Sequence, residues 1–295
     1  MRRSRFLDAI LPITLLAVLP IGVAAQSNDG SKPKDDSKSD SGNAAKVIQN
    51  LNADVVAARK ATAEKRYADA EALMLKVTAV KPELLVPRLE LALAQLGLKK
   101  YSEAEINFKM VLGIDPKSEK MAHSDDFYRP DAPQVTQNSR NTMGGEVISG
   151  QSRTAEIAGV SYGSLGEIYL RTNRIPEAQA AFDSAVKANP SQAALYLRNE
   201  TIFFFQIGNA DAQLAAAEKA ISVDPNRAML YYFKGQALAS KATVDPQTQK
   251  MTLPPGCAEA YRKYLELEPG GQFSADAKSL LAAAGVPIPA RTGKS

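Results

Sequence analysis

The chain has 295 residues, 45% apolar and 23% charged, with one Cys, one His and no Trp. That inventory excludes a disulfide framework, a four-Cys zinc site and a His-rich metal centre, and it leaves little for His-based acid–base catalysis. A net charge of +4 is small and argues against a dedicated nucleic-acid binder.

The first element in chain order reads as an export signal. Arg2, Arg3 and Arg5 precede an apolar run from Ala9 to Ala25, broken by Pro12 and Pro20 and closed by the small residues Val23-Ala24-Ala25. Cleavage is expected after Ala25. The alternative is an uncleaved membrane anchor, for which the run is short of the ~20 apolar residues a span needs. No Cys follows, so lipoprotein anchoring is excluded. Removal of residues 1–25 takes away three Arg and one Asp and leaves a net charge of +2. Residues 26–43 carry no aliphatic side chain to bury, so nothing offsets their ordering entropy, and a flexible linker is expected.

From residue 44 a pattern repeats. A charged or amide residue precedes proline at Lys81-Pro82, Asp115-Pro116, Asn189-Pro190, Asp224-Pro225 and Glu268-Pro269, with spacings of 34, 74, 35 and 44 residues. Upstream of each proline large and small residues alternate. Before Pro82 stand Ala58, Tyr67, Ala70 and Val77; before Pro116, Leu91-Ala92, Gly97, Tyr101, Ala104, Phe108 and Val111. Before Pro190 stand Tyr162, Leu165-Gly166, Tyr169, Ala178, Phe182 and Ala185; before Pro225, Phe204, Gly208, Ala217 and Ala220. With this spacing the chain resembles the tetratricopeptide repeat (TPR) family over about 200 residues, the third repeat most clearly. The resemblance implies an all-α fold, a right-handed α-solenoid of helix–turn–helix repeats. Small residues let the paired helices approach, large ones fill the gaps, and proline ends each second helix. Pro176 falls in the first turn of such a helix, where its missing N–H costs nothing.

Repeats 1 and 2 are expected over residues 44–116. An irregular insert follows over 117–153, holding Arg129-Pro130-Asp131-Ala132-Pro133 and Met143-Gly144-Gly145. Loops this long are disordered or functional, so the insert is either loosely packed or a lid on the groove. Repeats 3–5 and a capping helix are expected over 154–285, and a flexible tail over 286–295. The fourth repeat departs from the family at Glu200-Thr201 and at Gln213, where Leu-Gly and Ala are usual. Either its first helix is shifted by one residue or the junction packs unusually. The fifth repeat is split between about Lys241 and Cys257 by β-prone stretches around Asp245-Pro246, which read as a small β-hairpin.

Candidate chemistry is sparse. His123, beside Asp125 and Asp126, reads as a solvated loop residue, and Cys257 reads as a small packing residue. Gly144-Gly145 is too short for a phosphate loop. No catalytic residue, cofactor or metal is expected. What remains is the wall that the first (A) helix of each repeat presents in this family, which the resemblance implies binds peptides or partner helices. The residues it points to are Leu89, Leu93, Glu167, Leu170, Arg171, Arg198, Phe205, Tyr232 and Gln236. The expected role is a non-enzymatic exported scaffold, periplasmic or secreted, that binds a protein or peptide through this groove. It makes no contact with nucleic acid, and it touches membrane only if the signal segment is retained. The alternative is a structural part of an envelope assembly or secretion machine, using the convex face and the hairpin.

Overall fold

The computed structural model describes residues 38–115 and 150–288. The expected signal segment and most of the expected insert lie outside them. The described residues divide into two compact units, one up to Ile168 and one from Tyr169 onward.

The amino-terminal unit holds α1 (Lys38–Ala63), α2 (Tyr67–Val80), α3 (Leu85–Gly97), α4 (Tyr101–Val111) and α5 (Gly150–Arg171) as far as Ile168. Helix α1 begins at Lys38, inside the stretch expected as linker. No proline interrupts residues 38–43, and each residue added to an existing helix gains a hydrogen bond. The core joins Val55, Ala58 and Ala61 of α1 to Ala70, Met74 and Val77 of α2 and Leu91 and Ala94 of α3. The buried Glu90 of α3 accepts from Arg59 Nε of α1 at 2.6 Å. Gly97 lies against Tyr67, and a Cβ there would come within 2.6 Å of the ring atoms Cε1 and Cγ.

The carboxy-terminal unit starts in the last turn of α5 and continues through α6 (Ile175–Ala188), a 3-10 turn (Pro190–Gln192), α7 (Ala193–Ile207), α8 (Ala210–Val223) and α9 (Ala228–Ala239). The strands β1 (Thr243–Val244) and β2 (Met251–Thr252) follow, then α10 (Cys257–Leu267) and α11 (Ser274–Ala283). The strands pair antiparallel, Thr243 opposite Thr252 and Val244 opposite Met251, which is the expected hairpin. Asp245 Oδ1 accepts from the Gln247 and Thr248 amides at 2.8 and 3.0 Å and fixes the turn. Leu197, Ala220 and Leu230 bring α7, α8 and α9 together.

In the amino-terminal unit α1 to α4 each pack on the next in sequence, as α6 to α11 do in the carboxy-terminal unit, and first helices also meet one another, α1 on α3 and α7 on α9. The fold class is all-α, an α-solenoid of stacked helix hairpins with one small hairpin insert. Two backbone devices recur. The first ends the A helices α1, α3, α5 and α7: Lys65, Lys99, Asn173 and Gly208 all adopt the left-handed conformation, with φ of 59°, 61°, 61° and 75°. The amide after each reaches back to a carbonyl in the helix: Arg66 to Ala61 (2.8 Å), Lys100 to Gln95 (2.9 Å), Arg174 to Tyr169 (2.7 Å) and Asn209 to Phe204 (3.1 Å). A lysine in this conformation costs about 1–2 kcal/mol of backbone strain that glycine avoids.

The second device ends the B helices. Lys81, Asn189, Asp224 and Glu268 share nearly one conformation, with φ/ψ of −135°/70°, −134°/77°, −129°/76° and −142°/70°. Each precedes a proline, whose ring excludes the helical region from the residue before it. Asp115-Pro116 does not act this way. Helix α4 ends at Val111, four residues earlier, because Gly113 turns left-handed at φ 70° and Ile114 N–H bonds Lys109 O at 2.8 Å.

These devices decide the register of the fourth repeat. Ala58, Ala92, Gly166 and Thr201 each stand seven residues before a left-handed turn residue, and Ala70, Ala104, Ala178 and Gln213 each stand five after one. There is no one-residue shift. The junction is instead packed with polar groups. Asn199, Glu200, Thr201 and Gln213 are buried, and Thr201 Oγ1 donates to Leu197 O at 2.9 Å. Gln213 Nε2 donates to Phe233 O at 2.7 Å and to Gln236 Oε1 at 2.8 Å, stapling α8 to α9.

Candidate functional site

The nine candidate residues divide between the two units. In the amino-terminal unit, Leu89 is buried in α3 and Leu93 is half-buried. Glu167, near the end of α5, is also buried. Its charge helps hold the Tyr67 phenol protonated, second to the burial of that ring. These three residues are closer to core than to an open wall.

The carboxy-terminal unit holds the other six. Leu170 is buried. Arg171 is exposed, and its guanidinium carbon stands 5.5 Å from the centre of the Phe203 ring. That is a cation–π distance linking the end of α5 to α7. Arg198 is half-buried on α7, and Phe205 lies two turns further along the same face. The Phe205 ring packs 4.9 Å from that of Phe233 on α9.

Tyr232 and Gln236, both on α9, are already engaged. Phe273, in the connection before α11, stacks on Tyr232 at 4.1 Å with the rings 8° from parallel. Tyr232 is 7% exposed, and burial first, with Asp276 of α11 next, pushes its hydroxyl up to about 12. Gln236 Oε1 accepts from Gln213 Nε2. The arrangement therefore joins Arg171 to Phe203, Phe205 to Phe233, Tyr232 to Phe273 and Gln236 to Gln213. It leaves Arg171, Arg198 and Phe205 as the side chains with surface to offer.

The electrostatics single out Arg198. Burial lowers its pKa, the nearby charge of Arg227 lowers it further, and Asp224 acts the other way. Asp224 is itself bound by Arg227 Nε at 3.0 Å. Arg198 reaches only the side-chain oxygen of Asn199, at 3.4 Å. Among the described residues no carboxylate lies within ion-pair distance of it.

Three participants were not legible as such in the sequence: Phe203, Phe273 and Gln213. Phe273 follows Pro269-Gly270-Gly271 and has the look of a loop residue. Its one signal is that it stands directly before the capping helix, where its amide donates to Tyr264 Oη at 3.0 Å. Cys257 is fully buried, its Sγ 3.4 Å from Gly235 O, and burial pushes the thiol up to about 11. It is held as a thiol at neutral pH, unreactive as a nucleophile. Among the described residues no group of three or more His, Cys, Asp or Glu side chains could hold a metal ion, and no helix is long and apolar enough to cross a membrane. His123 lies outside the described residues.

Residues 160–192, spanning the end of α5, all of α6 and the 3-10 turn, match the tetratricopeptide repeat family. No curated protein matches the chain. Solved structures similar to it include YrrB, described as a TPR protein with an unusual peptide-binding site (14% identity, 77% of this chain and 90% of that one, TM-score 0.46). Another is the MamA protein (17% identity, 77% and 94%, TM-score 0.46). A third is the TPR2AB domain of yeast Sti1 in complex with pHSP90 (13% identity, 80% and 90%, TM-score 0.30). Residues 160–192 are thus a tetratricopeptide repeat, and its left-handed and proline turns recur in the hairpins α1–α2 and α7–α8.

Proposed function

We propose that the chain is an exported, non-enzymatic scaffold that captures another protein or a peptide on the A-helix face of its carboxy-terminal repeats. The observation that carries this reading is Arg198, a half-buried guanidinium on that face without a carboxylate partner among the described residues. A peptide carboxylate or main-chain carbonyl supplies the acceptor that such a cation wants. Phe205, on the same face, offers an apolar anchor backed by Phe233, and Arg171 adds an exposed cation. Export rests on Arg2, Arg3, Arg5 and the apolar run to Ala25.

The test is a display library of random peptides selected on the immobilised chain. The best binders are then titrated against the chain and its R171A/R198A double variant. Binding falls at least about tenfold in the variant while its melting temperature stays within about 2 °C. Equal affinity for both chains sinks the groove reading.

A second reading has its own observation. A cleft of about 480 Å³ between α8, α9 and α10 is lined by Ile221, Tyr231, Lys234, Glu259, Arg262 and Lys263, and Val244 of the hairpin is 50% exposed. Crosslinks to neighbours confined to these residues and to the hairpin would favour a structural part of an envelope assembly.

A further inference from the structure

The polar junction of the fourth repeat contains a carboxyl group with no role in the groove. Glu200 of α7 is 1% exposed, and its Oε2 has no hydrogen-bond partner among the described residues. The amide Nδ2 of its neighbour Asn199 is equally unpartnered. Two charged side chains bear on Glu200 from the helices on either side. Lys219 of α8 favours its ionised form, and Asp183 of α6 opposes it. These two bind each other, with Lys219 Nζ donating to Asp183 Oδ1 at 3.0 Å in solvent-exposed positions. Of the other charges on α5, α7 and α9, two are engaged elsewhere and one, Arg198, reaches only an amide oxygen. Lys234 of α9 pairs with Glu218 at 2.8 Å, Arg198 of α7 bonds Asn199, and Arg171 from α5 lies over Phe203. The turn 190–192 carries no charge.

We propose that the α6–α7–α8 junction is a proton-operated latch. With Glu200 in its neutral acid form, Lys219 is free to hold Asp183 and the three helices stay closed. When the proton leaves to solvent, an unpaired carboxylate is stranded in the junction. Such a group cannot stay buried without a partner, so Lys219 is drawn from Asp183 to Glu200 and the link between α6 and α8 is lost. Burial, the largest influence, pushes Glu200 up to about 7, so the latch works close to neutrality. The folded chain holds this proton more tightly than the unfolded chain does. Its contribution to stability is full below the ordinary carboxylate range and is lost as pH rises through about 7. The latch holds whether or not the chain binds a peptide.

The experiment uses the full chain. The carboxyl carbon of Glu200 is followed by 13C NMR across the pH range, its resonance assigned by loss in E200Q. The midpoint falls near 7, moves down in D183N and moves up in K219M; a midpoint in the ordinary carboxylate range overturns the proposal. In parallel, amide exchange in α7 and α8 is measured at about pH 6 and about pH 8.5 and corrected for the intrinsic rate. The exchange speeds up by at least about tenfold in the native chain and stays level in E200Q, which keeps the shape and cannot ionise. The same acceleration in both chains refutes the latch.

Discussion

Replacing Phe273 with alanine tests whether the last A helix is closed or open. Phe273 is 7% exposed, stacks on Tyr232 at 4.1 Å, and lies 6.0 Å from Phe233 and 6.5 Å from Tyr264 between ring centres. Truncating a phenylalanine so placed costs about 3–5 kcal/mol, of which the ring pairing accounts for about 0.5–1.5 kcal/mol. Helix α11 has 10 residues and docks on α10. A helix that short is marginal in water without its tertiary contacts. The loss therefore falls first on the cap, which detaches and exposes Ala277, Leu281 and the Tyr232 ring. Hydrogen exchange read by mass spectrometry should show protection vanishing over residues 272–285 in F273A, while α6 to α8 keep theirs. If the unit instead melts as one body, the midpoint drops by about 10 °C. F273L, which keeps the bulk and loses the stack, should retain the cap at a cost of about 1 kcal/mol. Unchanged protection over α11 in F273A would refute the reasoning and return Tyr232 to the open wall.

Two further substitutions probe the helix pairings. Gln213→Ala restores the residue usual for the family yet should destabilise by about 1–3 kcal/mol in urea unfolding, because the Gln236 oxygen loses its donor and a void opens between α8 and α9. A neutral or stabilising result would mean that the staple contributes nothing. Gly97→Ala forces a methyl group into the Tyr67 ring and should cost about 1–3 kcal/mol in the amino-terminal unit. Adding Tyr67→Ala should make the glycine substitution nearly harmless, and a purely additive double variant would show that the two residues do not meet.

The parts of the fold that were legible in the sequence are those where residue type and backbone geometry agree. Proline at 82, 190, 225 and 269 constrains the residue before it by steric contact, so helix ends could be read from the letters alone. Gly208 suited its left-handed turn, since glycine takes that conformation without strain. Lys65 and Lys99 did not, since lysine is a poor left-handed residue and stands there only because the flanking helices fix the turn. Asp115-Pro116 misled in the other direction, because Gly113 had already ended α4. The face of α7 and α9 was an implication of the family resemblance, and the availability of its side chains could not be read from it. Burial of Leu89 and Leu170 and the covering of Tyr232 depend on neighbours brought in from elsewhere in the chain, and Phe273 lies 41 residues from Tyr232. The polar letters of the fourth repeat were visible as a departure. Their meaning required the partners on α6, α8 and α9.

The hairpin has a consequence for how this protein can be altered. The other hairpins join their two helices through two or three residues, whereas 17 residues, 240–256, separate α9 from α10. The two helices nevertheless pack on each other, and Gly256 at φ 81° leads directly into α10. Closing a loop of that length instead of three residues costs only about 1.5 kcal/mol of chain entropy, and the paired strands and the Asp245 turn recover part of it. The joint between α9 and α10 is thus a graft port. Sequence of different length, a recognition loop or a fluorescent reporter can be spliced between Val244 and Met251 and carried outward on a stem of paired strands, while the helices on either side keep their register.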